Sequence, residues 1–229
     1  MADSPAGSRC PVFRLILVPS IITLAVTLLR LLGELQHWAK VLFNPEAGGP
    51  WSIIGIAWLA PIFGIYFAAR LLAGGQGPTS AWRALGWAIF AMVVIIALAY
   101  LGSVLHIERS FKGRLIYIWL VTAIAALVTL LGWPALFKVI VAYGYAARIP
   151  VAVVMFFAFR GNWGTHYDAL PSDMPLGYSL WEKYWLLGFF PQLVFWVGYT
   201  VVSGMLLGGI TAVISPLIRH APQKVPSSK

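Results

Sequence analysis

Six side chains in this sequence could together do metal chemistry: His37, His106 and His166 with Glu34, Glu108 and Asp168. Two of the histidines stand in His-x-carboxylate pairs, His106-Ile107-Glu108 and His166-Tyr167-Asp168. The third closes Glu34-Leu35-Gln36-His37, a Glu-x-x-His spacing that puts both side chains on one face of a helix. Imidazole nitrogen and carboxylate oxygen together suit zinc, iron or manganese. A di-iron bundle would need two Glu-x-x-His copies with further glutamates, and the chain carries one. The alternative is that these are loop residues, where a membrane chain must put its polar groups.

A second centre is Arg148, near the middle of an apolar run, with Lys138 and Arg160 ten and twelve residues away. At about 1.5 Å per helical residue, each boundary is about 15–18 Å off, beyond full snorkelling. A central arginine costs about 2.5–3.5 kcal/mol to insert, and charges at that depth usually pair or bind something. No carboxylate stands at similar depth in any run. The expected neighbours are Tyr145 at i−3, Tyr143, Thr122 and the Ala146 carbonyl released by Pro150. An anionic lipid or ligand would complete the guanidinium's hydrogen bonds. The competing expectation is a helix broken at Arg148–Pro150, with the arginine at an interface and Gly144 weakening the helix nearby.

The elements that must position these groups are six apolar runs, at 15–32, 51–69, 84–105, 115–133, 135–159 and 185–218. A spanning helix needs about 20 apolar residues to cross about 30 Å of hydrocarbon. Hydrophobic residues make up 60% of the 229 and charged residues 10%, too few to cover a soluble domain of this size. The fold class expected is therefore all-α, a polytopic membrane bundle of about six spans forming one domain over residues 1–229. The last run is too long for one crossing. Pro191 is expected to divide it into an interfacial helix at 180–190, carrying Trp181, Tyr184 and Trp185, and a span at 193–217.

An even number of spans puts both termini on one side. The Lys and Arg count is then eight on that side and seven on the other, which predicts cytoplasmic termini in a cell inner membrane. The net charge of +9 sits at the ends of the runs, where it meets lipid head groups, and forms no stripe for nucleic acid. Nucleotide-loop, dinucleotide, serine-hydrolase and zincin motifs are absent from the sequence. Cofactor identity is not legible. Gly204 and Gly208 form a Gly-x-x-x-Gly that serves packing within the bundle or a seam to a second copy or membrane partner.

One segment, Phe137-Lys138-Val139-Ile140-Val141-Ala142-Tyr143-Gly144-Tyr145 followed by Ile149-Pro150, resembles part of Yip1-domain membrane proteins over about 25 of the 229 residues. The resemblance implies a compact multi-span bundle with a non-enzymatic role in membrane organisation or protein association. It brings no catalytic residues. Arg148 before the proline and the long 160–184 loop depart from that family's pattern. Three functions are thus expected in turn: a membrane-organising protein, a carrier or binder of an anionic or lipidic ligand at Arg148, and a membrane-embedded metalloenzyme.

Overall fold

The computed structural model describes residues 11–47 and 52–219, apart from the side chains of Glu108 and residues 217–219. Arg9, Lys224 and Lys229, used in the charge count, and the Gly48-Gly49-Pro50 breaker lie outside the described residues. Every regular element among the described residues is helical. Five helices are long and apolar enough to cross a membrane: α1 (Val12–Leu35), α3 (Ala81–Val104), α4 (Phe111–Thr129), α5 (Pro134–Gly161) and a 37-residue C-terminal helix, Leu180–Pro216. A shorter apolar helix, α2 (Leu59–Ala73), completes the set. The chain is a multi-pass, all-helical membrane protein.

Two expectations about the elements change. Span 2 was expected from Trp51, but α2 starts at Leu59 and has 15 residues. That is about 22 Å of helix, short of the hydrocarbon thickness. The stretch ahead of it is turned instead. Ser52 donates its hydroxyl to the carbonyls of Leu42 and Ile54, and Ile54 N–H donates to the Leu42 carbonyl. These bonds tie 52–54 back to the α1–α2 connection and withhold them from the helix.

The C-terminal helix is not divided at Pro191. A single turn, α6 (Leu180–Lys183), leads into two π-helical stretches, Tyr184–Phe189 and Pro191–Trp196, and then α7 (Val197–Arg219). Proline lacks an N–H and its ring crowds the carbonyl four residues earlier. Widening the turn to i→i+5 absorbs that crowding without ending the helix. Ser179 and Glu182 form a capping box at its start.

α7 is the centre of the bundle and packs on α2, α3, α4 and α5. Its seam with α2 is backbone on backbone: a methyl added at Gly64 would lie 2.5 Å from the Gly204 Cα. Gly208 is buried against Leu136 of α5 and Ala68 of α2. The chain's own helices thus occupy the Gly204–Gly208 face. α1 lies along α5, joined by the Thr23 and Tyr143 hydroxyls at 2.8 Å. At one end of the bundle the 162–179 connection is fastened to α1 through His166 and Glu34, and to the start of α4 through Asp173 and Arg114. Lys112 of α4 and Glu182 of α6 pair at the same end, 3.4 Å apart.

Candidate membrane-embedded anion site

α5 runs unbroken through Arg148 and Pro150 from Pro134 to Gly161. The expectation of an interfacial arginine on a split helix is therefore overturned: Arg148 is 5% exposed and sits mid-helix. Of the expected neighbours, Tyr143 stands within electrostatic reach of Arg148, while Tyr145 and Thr122 make no contact with it. Tyr145 is 42% exposed, on the outer face of α5. Tyr143 is buried but engaged with Thr23 and packed edge-on against Phe63 and Phe67. Thr122 returns its hydroxyl to the Ile118 carbonyl of its own helix.

What Arg148 meets comes from the π-helical stretch after Pro191. Its Nη1 lies 3.4 Å from Gln192 Oε1, and its guanidinium lies 4.6 Å from the centre of the Trp196 ring. A tight α-helical turn spaces side chains every 100°, and the wider π-turn re-aims Gln192 and Trp196 toward α5. A guanidinium has five donors. Among the described residues Arg148 has one protein hydrogen bond, a long one, and no carboxylate partner.

Arg148 lines a cavity of about 1140 Å³. The walls are mostly apolar, with Ile118, Trp119, Val151, Met155 and Leu187 among them, and the polar groups are few: Thr27, Arg30, Ser52, Arg148, His166, Tyr167 and Gln192. Pockets of about 300–1,000 Å³ with sparse, convergent polar groups are typical of small-molecule sites.

A second polar centre borders the same cavity. Glu34, 3% exposed, accepts from Arg30 Nε at 2.8 Å and from the backbone N–H of His166 at 2.8 Å. His166 Nδ1 lies 2.6 Å from one Glu34 oxygen and 2.7 Å from the other. An ionised carboxylate only accepts, so Nδ1 carries the proton in this arrangement and Nε2 is left as an acceptor. Burial holds the His166 imidazole below the ordinary histidine range, against the opposing pull of Glu34. Burial raises the Tyr167 phenol, which stands within electrostatic reach of both Arg30 and Arg148 and donates to the Thr27 carbonyl at 3.2 Å.

Of the expected metal set, the five residues with described side chains do not come together as a site. Among the described residues no group of three or more His, Cys, Asp or Glu side chains is placed to hold a metal ion. Glu34 and His166 meet, but as hydrogen-bond partners. Asp168 is consumed by its own loop, accepting from Gly164 N–H, Thr165 N–H and the Thr165 hydroxyl. His37 and His106 are exposed and end α1 and α3 in left-handed conformations, φ 53° and 54°. A connection must leave a helix end somewhere, and these histidines mark where it does. The Glu108 side chain lies outside the described residues.

The sequence reading missed Tyr167, Gln192, Trp196 and the pairing of Arg30 with Glu34. Two of these left a trace. Arg30 and Glu34 are four apart, the spacing of a helical ion pair. Gln192 is a lone amide directly after a proline in an otherwise apolar run. No protein-family description, curated protein or solved structure matches the chain.

Proposed function

We propose that this protein binds, and on that basis carries or presents, an anionic amphiphile whose acidic head docks against Arg148 in the membrane-embedded cavity. The observation that carries this reading is the state of Arg148: a buried mid-helix guanidinium with one long amide contact, on the wall of a largely apolar cavity. Burying a cation without an anion is costly, and an acidic head group supplies both charge and acceptors. Apolar walls suit the chain attached to that head. This reading takes precedence over the membrane-organising role implied by the Yip1-like segment, to which none of the contacts above speaks. The Lys and Arg count, eight against seven, supports termini on the cytoplasmic side, and a cell inner membrane is the location we propose. Impermeant thiol labelling of single cysteines at Ser4 and Ser227, in a Cys10→Ser background, tests that placement in intact cells.

The binding test is lipid retention. Wild type purified in mild detergent should carry anionic lipid or fatty acid detectable by native mass spectrometry. Arg148→Gln should stay folded, by circular dichroism and size exclusion, and lose that species. Equal retention by both proteins would defeat the reading.

A further inference from the structure

The cavity has a second wall whose chemistry Arg148 does not use. Residues Ser52–Leu59, where the first turns of span 2 were expected, line it throughout. Irregular backbone at membrane depth persists where it faces a cavity or is buried in protein, because lipid offers it no hydrogen bonds. Here the stretch lines the cavity and has backbone donors to spare. Among the described residues, the N–H groups of Gly55, Ile56 and Ala57 make no protein hydrogen bond. They lead directly into the N-terminus of the 15-residue α2, whose aligned peptides add positive potential.

Arg30 approaches the same stretch. The residue is 9% exposed; Nε is used by Glu34 and Nη2 donates to the Asn44 carbonyl at 3.2 Å. Its Nη1 has no partner among the described residues and sits 3.2 Å from where a Gly55 Cβ would be. Successive free N–H groups ahead of a helix, with a buried guanidinium nitrogen beside them, form a concave anion site. A Cβ at position 55 would push Nη1 back by a few tenths of an ångström.

We infer that Gly55–Ala57 and Arg30 Nη1 form a second anion subsite in the cavity that Arg148 lines, so that the ligand is an amphiphile carrying two acidic groups, a diphosphate or a bis-phosphate head. This rests on the reading of the cavity as a ligand site and specifies its occupant. Arg30 is already neutralised by Glu34, so this subsite holds its anion mainly through fixed N–H dipoles, and Arg148 supplies the uncompensated charge. One acidic group would satisfy one wall and leave the other's donors dry.

The test compares head groups at constant tail on the detergent-purified full chain, by tryptophan fluorescence, since Trp58 and Trp196 line the cavity. Farnesyl diphosphate is set against farnesyl phosphate, for adjacent phosphates. Cardiolipin is set against phosphatidylglycerol, for phosphates held apart by a spacer. At least one two-phosphate probe should bind about tenfold tighter than its one-phosphate counterpart. Gly55→Ala, whose methyl shifts the end of the Arg30 side chain by a few tenths of an ångström, should narrow that margin. Ala57→Pro, which deletes one N–H, should narrow the margin as well. Arg148→Gln should weaken all four probes. Equal binding of one- and two-phosphate probes, with Arg148→Gln still weakening them, overturns the second subsite alone. A margin that survives both Gly55→Ala and Ala57→Pro also overturns it. Failure of every probe to bind wild type defeats the ligand reading itself.

Discussion

Two buried arginines border one cavity, and the protein treats them differently. Arg30 is met by the protein itself: Glu34 at 2.8 Å and the Asn44 carbonyl at 3.2 Å, with His166 on the far side of the carboxylate. Arg148 is met by an amide at 3.4 Å and the face of an indole. One charge is a structural tie, joining α1 to the loop that follows α5. The other is held in place but left uncompensated, which is what a binding site for an anion requires. The largest effect should therefore fall on the first. Glu34→Leu strands Arg30 in the interior and removes the acceptor of His166, so unfolding free energy in detergent should drop by about 3–5 kcal/mol. A loss below about 1 kcal/mol would mean that Arg30 does not depend on its carboxylate, and the contrast between the two arginines would collapse.

Arg148→Leu should do the opposite in ligand-free protein. Removing an uncompensated cation from the membrane interior recovers part of its insertion cost, so stability should hold or rise by up to about 2.5–3.5 kcal/mol. Binding of the anionic probe should disappear in the same variant. Thermal unfolding with and without probe separates the two effects, since a ligand that binds only the folded form raises its stability by mass action. A fall comparable to that of Glu34→Leu would make Arg148 a second structural tie.

The contrast between the arginines was half visible in the sequence. Arg148 stood out because a cation in the middle of an apolar run has few innocent explanations, and no carboxylate could be found at its depth. The helical class was equally plain from run lengths. What the sequence could not give was partnership between elements. The histidines gathered on one side because helix ends gather there, and only His166 was drawn inward, by a carboxylate 132 residues away. Pro191 signalled an interruption, but local pattern does not say whether a helix will stop at a proline or widen past it. The widened turn is what brings Gln192 and Trp196 to Arg148. The turned stretch ahead of α2 was hidden for a similar reason: Ile53, Ile54, Ile56 and Trp58 are apolar whether they form a helix or line a cavity.

A smaller effect tests how Arg148 is held in place. The Trp196 ring lies under the guanidinium of the buried Arg148, where a cation–π contact is worth up to about 2 kcal/mol. Trp196→Leu alone would mix that contact with lost burial. A double-mutant cycle with Arg148→Leu isolates it, and a coupling of about 1 kcal/mol is expected. Coupling indistinguishable from zero would leave the arginine without a platform and open its position to change on binding.

The smallest expected effect concerns Gln192. Its Oε1 is 3.4 Å from Arg148 Nη1, at the long end of a hydrogen bond, and its Nε2 lies 3.4 Å from the Met155 sulfur. An amide so placed contributes about 0.5 kcal/mol, the low end for a hydrogen bond, and its cycle with Arg148→Leu should return no more than that. The weak coupling is itself informative. If Gln192 satisfied the guanidinium as Glu34 satisfies Arg30, the cycle would return several times as much, and the anion proposed for the cavity would have little left to bind. If Gln192 instead only steers the arginine, Gln192→Leu should shift probe affinity by more than it shifts stability, because the guanidinium would keep its charge and lose its aim. Measuring both quantities on that one variant decides whether the amide competes with the ligand or prepares the site for it.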